Sequence, residues 1–165
     1  MIDLTLLDPD FQRIVPTFIH TMVNKGYTIV PDSGLRSVQQ QAILWRQSRP
    51  TSIINEQIEC FHENGCDYLA DVLDGVGYQN GKWATNALPG YSWHNWGQAI
   101  DCLIVPGTRD DYKIYADTAV SLGLTAGYYF THQDMDHIQL NAHEIPTLYT
   151  MKQINDHFQA LALSS

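Results

Sequence analysis

The chain predicts one folded domain that mixes amphipathic helices with a few short strands, and three observations carry that expectation. A length of 165 residues is enough for one hydrophobic core and short for two. Apolar residues make up 44% of the chain, aromatic residues 11% and charged residues 16%, a composition of globular rather than disordered sequences. Stretches with apolar residues three and four apart also alternate with short apolar runs bounded by glycine and proline.

Taken in order, Leu7 to Lys25 places Phe11, Ile14, Val15, Phe18, Ile19, Met22 and Val23 on one helical stripe, with Asp8 as cap, Pro9 in the first turn and Gly26 as stop. Tyr27 to Val30 reads as a short strand, and Pro31-Asp32-Ser33-Gly34 as a turn. Ser37 to Ser48 predicts a second helix capped by Ser37, and Asn55 to Leu73 one or two more, broken at Gly65. Gly75 to Gly90 lacks periodicity and predicts a loop around Trp83, the kind of segment that often carries binding groups. Ala99 to Val105 is a near-continuous apolar run stopped by Pro106-Gly107, which suits a buried strand. Asp110 to Leu122 predicts a helix, Gly123 to Gly127 a turn, His137 to Leu140 a strand with His137 and Gln139 on one face, and Ile154 to Leu163 a last helix.

The formal net charge of -9 provides no basic footprint, which argues against nucleic acid or an anionic lipid surface as partner. No stretch approaches the roughly 18 to 20 consecutive apolar residues of a membrane span. The first ten residues carry acids where a signal peptide has a basic region, so synthesis in the cytoplasm without a Sec signal is expected. Cys60, Cys66 and Cys102 are an odd set that cannot all pair within the chain, and inert reduced thiols are expected.

Chemistry concentrates in two segments. Ser92-Trp-His94-Asn-Trp-Gly-Gln-Ala-Ile-Asp101 offers an imidazole and a carboxylate, and Asp134-Met-Asp136-His137-Ile-Gln139 a second imidazole with acids before it. Two histidines, one aspartate and a spare acid match a catalytic zinc site, which keeps three protein ligands and an open fourth position. A carboxylate at Asp101, inside an apolar strand, is costly unless paired or metal-bound. Zinc with such ligands lowers the pKa of bound water from 15.7 toward about 7. Amide hydrolysis also needs a group to accept the water proton and return it to the leaving amine, a role that suits Asp134, with Asp136 as the alternative. The competing reading of His94, Asp101 and His137 is a buried hydrogen-bonded cluster without metal. His132 and His143 are alternative ligands by spacing, and His62-Glu63 lacks the second histidine of a His-Glu-x-x-His helix because position 66 is cysteine.

Three blocks in order, Ser33-Gly-Leu-Arg36-Ser with Gln40, Ser92-x-His94-x-x-Gly97-x-Ala99-x-Asp101, and Asp134-x-x-His137-x-Gln139, together with Leu88-Pro-Gly-Tyr91, resemble the D-alanyl-D-alanine carboxypeptidase and L-alanyl-D-glutamate endopeptidase family of zinc peptidases, which includes phage endolysins. The similarity covers roughly residues 8 to 140. It implies an α+β fold of the hedgehog and D-Ala-D-Ala-peptidase type, a small antiparallel sheet with flanking helices, as a single domain over residues 1–165. It further implies that His94, Asp101 and His137 hold one Zn2+ ion, that Asp134 is general base and acid, and that Arg36 polarises the scissile carbonyl.

Gln40 is expected to orient Arg36 or contact substrate, and Ser92 to support the site or substrate by hydrogen bonding. The substrate implied is the peptide stem of bacterial peptidoglycan, cut by a monomer as an L-alanyl-D-glutamate endopeptidase, with a D-alanyl-D-alanine carboxypeptidase or dipeptidase as the alternative. Access to the wall is expected through a holin or a secretion system, unless the substrate is a muropeptide in the cytoplasm. From a different class, a non-catalytic zinc-containing binding module would close the metal with a fourth protein ligand.

Overall fold

The computed structural model describes residues 2–164. Along the chain lie α1 (Pro9–Asn24), β1 (Ile29–Ser33), α2 (Val38–Arg46), α3 (Thr51–Glu63), α4 (Asp67–Gly75), β2 (Ala99–Ile104), α5 (Arg109–Ser121), β3 (Thr125–Ala126), β4 (His137–Gln139), α6 (Ile145–Leu148) and α7 (Met151–Leu163). These elements form an α+β fold, as expected. The chain divides into two compact units, Met1–Leu35 with Trp96–Ala142, and Arg36–Asn95 with His143–Ser165. No helix among the described residues is long and apolar enough to cross a membrane.

The first unit is built on an antiparallel sheet in the order β1-β2-β4-β3. Helix α1 starts where Asp8 accepts a hydrogen bond from the amide of Asp10 at 2.9 Å, as the sequence predicts, and Phe11, Val15, Phe18 and Met22 bury its inner stripe. Strand alternation then divides β2 between two faces. Ile100, Cys102 and Ile104 join the α1 residues, with Tyr115, Ala116 and Ala119 of α5 and Ile138 of β4, in one apolar core. Phe18 and Tyr115 meet edge to face at 4.8 Å within it. Asp101 therefore belongs to the opposite face, and the register sets it directly across from His137, with Ala99 across from Gln139.

Two predicted turns are strand instead. Pro31 to Ser33 belongs to β1, where Pro31 pairs with Cys102 and the register shifts before Ser33 meets Asp101. Proline is tolerated because β1 is an edge strand, and the irregularity at Asp32 absorbs the missing donor. Thr125–Ala126 forms β3 on the other edge, opposite Gln139 and Ile138, and two residues are too few to show a period in sequence. The second unit is helical. Its Ser37 cap is reciprocal, with Gln40 N donating to Ser37 Oγ at 3.1 Å and Ser37 N to Gln40 Oε1 at 2.9 Å. Buried Asn155 of α7 accepts from Leu69 N at 3.1 Å, tying α7 to α4. Gly75 closes α4, and the loop that follows, through Gly90, has no regular element, as predicted; it is pinned by Ser48 Oγ on Gly81 O at 2.6 Å and Arg49 on Thr85 O at 2.8 Å. The short helix α6 was not anticipated.

Gly97 connects the second motif to β2. It lies at φ +68°, its carbonyl accepts from Asp8 N at 2.9 Å, and a Cβ would stand 2.9 Å from that same nitrogen. Gly97→Ala is expected to cost about 1 to 3 kcal/mol of stability, read as a lowered urea midpoint at unchanged slope.

Candidate metal centre and active-site residues

The sheet face opposite the core carries the acid and imidazole chemistry of the first unit. Asp101 on β2 and His137 on β4 are cross-strand partners, so their side chains emerge side by side, and Asp101 Oδ1 lies 3.0 Å from His137 Nδ1. The other ring nitrogen, Nε2, is 2.9 Å from Gln139 Oε1, two residues on along the same face. His137 and Gln139 are 7% and 8% exposed. Ligands at the usual zinc distances stand about 3.3 Å apart around a tetrahedral ion. A buried imidazole and a half-buried carboxylate 3.0 Å apart thus fit two of its corners.

The segment entering β4 is held from behind. Tyr115 Oη donates to the Asp136 carbonyl at 2.7 Å, Cys102 N donates to the same carbonyl at 2.9 Å, and Asp134 N donates to Gly127 O at 3.0 Å. Gly127 is required there, because a Cβ would collide with the Asp134 carbonyl. Asp134 is exposed while Asp136 is half-buried. Burial, and then the charges of Asp101 and Asp134, push the Asp136 carboxyl up to about 6, and a hydrogen bond with Asp134 adds to the shift. Burial opposes charge on His137, but its hydrogen bond to Asp101 and the charge of that carboxylate outweigh the penalty and move the ring upward. Behind the sheet, burial pushes the Cys102 thiol up to about 12, and the three cysteines are free.

The second unit carries His94, Arg36, Gln40 and Ser92. His94 is 3% exposed, and its carbonyl accepts from Arg36 N at 3.0 Å, so the backbone holds these two predicted residues together. Ser92 Oγ accepts from His94 N at 3.4 Å. The expectation that Gln40 orients Arg36 is corrected: Gln40 commits its oxygen to the α2 cap, and Gln41 accepts from Arg36 Nη1 at 2.9 Å. Gln41 is fully buried and anchors its own amide on Ala87 O at 2.8 Å. It shares the buried stripe of α2 with Val38, Ala42 and Trp45, and a glutamine at that spacing was the signal available in sequence. Asn95, also buried, was missed as well. It donates to Arg36 O at 2.8 Å and accepts from Gly90 N at 2.9 Å. His20, His132 and His157 are exposed, and His62 pairs with Asp67 at 2.7 Å. Trp93 is buried, with its indole N–H on His143 O at 2.9 Å, and Trp83 stacks on Arg49 at 3.9 Å.

A buried imidazole and a half-buried carboxylate at zinc-ligand spacing, with further acids beside them, are the equipment of a hydrolytic metal centre. Residues 5–121 match the family described as VanY, D-alanyl-D-alanine carboxypeptidase. The chain belongs to this family, whose members are zinc peptidases acting on peptidoglycan, and it is a zinc metallopeptidase with zinc as cofactor. Among solved structures, LdcB, an LD-carboxypeptidase, matches with a TM-score of 0.50 at 15% identity, over 93% of this chain and 68% of that one. The L-Ala D-Glu endopeptidase ChiX of Serratia marcescens matches with a TM-score of 0.46 at 16% identity, over 84% of this chain and 83% of that one. The vancomycin-resistance D,D-pentapeptidase VanY in complex with Zn(II) matches with a TM-score of 0.49 at 15% identity, over 93% and 83%. At such identities the likeness concerns the fold alone. No curated protein matches the chain.

Gln41→Leu removes a buried acceptor of the Arg36 guanidinium and is expected to lower the stability of the second unit. Zinc content by atomic absorption is expected to stay at the wild-type level. The Ala87 carbonyl left without its donor adds a stability loss of about 1 to 3 kcal/mol, seen in denaturant unfolding.

Proposed function

We propose that the chain, as a single zinc peptidase domain, hydrolyses the L-alanyl-D-glutamate bond of the peptidoglycan stem, with His94, Asp101 and His137 as the metal ligands, Asp134 as general base and acid, and Arg36 at the developing oxyanion. The observation that carries the catalytic part is the pair of buried His137 and half-buried Asp101 with the Asp134 and Asp136 carboxylates beside it. Two imidazoles and one carboxylate are donor types that suit zinc and leave its fourth position to water. When bound, zinc makes hydroxide available near neutral pH.

The chain's own residues supply the remaining steps. Asp134 is exposed and so able to reach a substrate water, take its proton and deliver it to the departing amine. Asp136, half-buried and hydrogen-bonded to Asp134, holds that neighbouring carboxylate in place. Arg36, steadied by Gln41 through its guanidinium and by Asn95 through its backbone, supplies positive charge for the oxygen of the tetrahedral adduct. The choice of bond rests on the resemblance of the chain to a family that includes small phage lysins. A D-alanyl-D-alanine carboxypeptidase is the second reading, favoured by the description of the matching family.

Mass spectrometry of purified peptidoglycan digested with the zinc-loaded protein separates the two readings. The expected product is a fragment with a new N-terminal D-glutamate, whereas loss of terminal D-alanine alone would assign the carboxypeptidase activity. Asp134→Ala is expected to keep about one equivalent of zinc and lose at least about 100-fold in rate, and Asp136→Asn to lose less than about 10-fold. Zinc removal by chelation is expected to abolish turnover, and zinc readdition to restore it.

A further inference from the structure

We propose that Gln139 is a positioning residue that fixes the tautomer of His137, so that Nδ1 is the atom offered to the metal. The inference rests on the reading of Asp101 and His137 as zinc ligands and follows from three hydrogen-bonding atoms in line. Gln139 Nε2 lies 2.6 Å from the carbonyl of Asn141. A carbonyl only accepts, so the amide must present its nitrogen to Asn141, and the orientation of the carboxamide is settled by its surroundings. Its oxygen is thereby turned toward His137 Nε2 at 2.9 Å. An amide oxygen also only accepts, so Nε2 carries the hydrogen. In the neutral ring Nδ1 is then the lone-pair nitrogen, and it faces Asp101 Oδ1 at 3.0 Å.

Two acceptors at that separation repel unless a cation lies between them or a proton is added. The arrangement is one that a shared divalent ion satisfies. Strand geometry makes it durable: His137 and Gln139 are two apart on β4, their side chains emerge on the same face, and both are buried. Gln139 is paired in register with Ala99 of β2 and Thr125 of β3, so its backbone is held from both sides. A hydrogen-bond acceptor on the far nitrogen of a metal-bound imidazole orients the ring and raises its basicity, and loss of such a partner typically weakens metal binding about 10- to 100-fold.

The test measures zinc affinity of wild type, Gln139→Leu, Gln139→Glu and Asp101→Ala by competition with a chromophoric chelator, using zinc alone as probe. Histidine side-chain nitrogen NMR on the zinc-loaded wild type accompanies it. The expected result is an Nε2–H tautomer for His137, an affinity about 10- to 100-fold lower in Gln139→Leu, and one within about threefold of wild type in Gln139→Glu, which keeps an acceptor. The metal-free Gln139→Leu protein is expected to retain the wild-type circular dichroism spectrum. Wild-type affinity in Gln139→Leu, with Asp101→Ala weakened, overturns the role of Gln139 and leaves the ligand reading standing. An Nδ1–H tautomer in the zinc-loaded protein overturns it equally. Wild-type affinity in Asp101→Ala overturns the ligand reading itself, and the proposal with it.

Discussion

The cross-strand contact between Asp101 and His137 is the constraint around which the first unit is organised. A carboxylate inside an apolar strand is expensive to bury, and a histidine beside it is of use only if the ring is held in one orientation. The sheet meets both needs. The register that places His137 opposite Asp101 also places Ile138 opposite Ile100, so the packing of those isoleucines with Phe18 and Tyr115 on the other face locks the polar pair. A one-residue slip would exchange the faces, bury the polar set in the core and expose the apolar one. The stability of the core and the geometry of the site are therefore one specification.

Electrostatics around the pair have a consistent sense. Asp101, Asp134 and Asp136 repel one another, and the upward displacement of Asp136 reflects burial first and that repulsion second. Concentrating negative charge in a partly dehydrated place destabilises a protein unless a cation uses it, and a family of zinc peptidases supplies the reason for the cost. The route of the chain supports the same groups from the core side. Tyr115, buried on α5, spends its hydroxyl on the Asp136 carbonyl, so a residue of the apolar core sets the path of the segment that enters β4.

Much of this was legible in sequence. The helix starts at Asp8 and Ser37, the stripe of α1, the buried strand holding Asp101 and the shared face of His137 and Gln139 all follow from local rules. The donor types and the family resemblance pointed to zinc and to peptidoglycan. What escaped was non-local. Pro31 to Ser33 reads as a turn, because proline and glycine are turn signals until a neighbouring strand is known to leave them on an edge. In the Gln39-Gln40-Gln41 run, only packing distinguishes a helix cap from the buried residue that holds Arg36. Asn95 was hidden between two better-known signals, His94 and Trp96, although it is the side chain that ties the motif loop to Arg36.

By itself the sequence determined the chemistry available: two histidines, one aspartate and spare acids in motifs of the right residue types, together with the helices and strands that carry them. Those are properties of residue identity and of spacing over a few positions, where capping and periodicity act. Only the tertiary structure decided which partner each donor has. His137 takes its two neighbours from a strand far away in sequence and from a residue two places on, Gln41 reaches a loop after α4, and Asp136 is gripped by α5. Such pairings depend on strand register and on which face of an element is buried, and both are settled by the collective packing of the core rather than by any local stretch of chain.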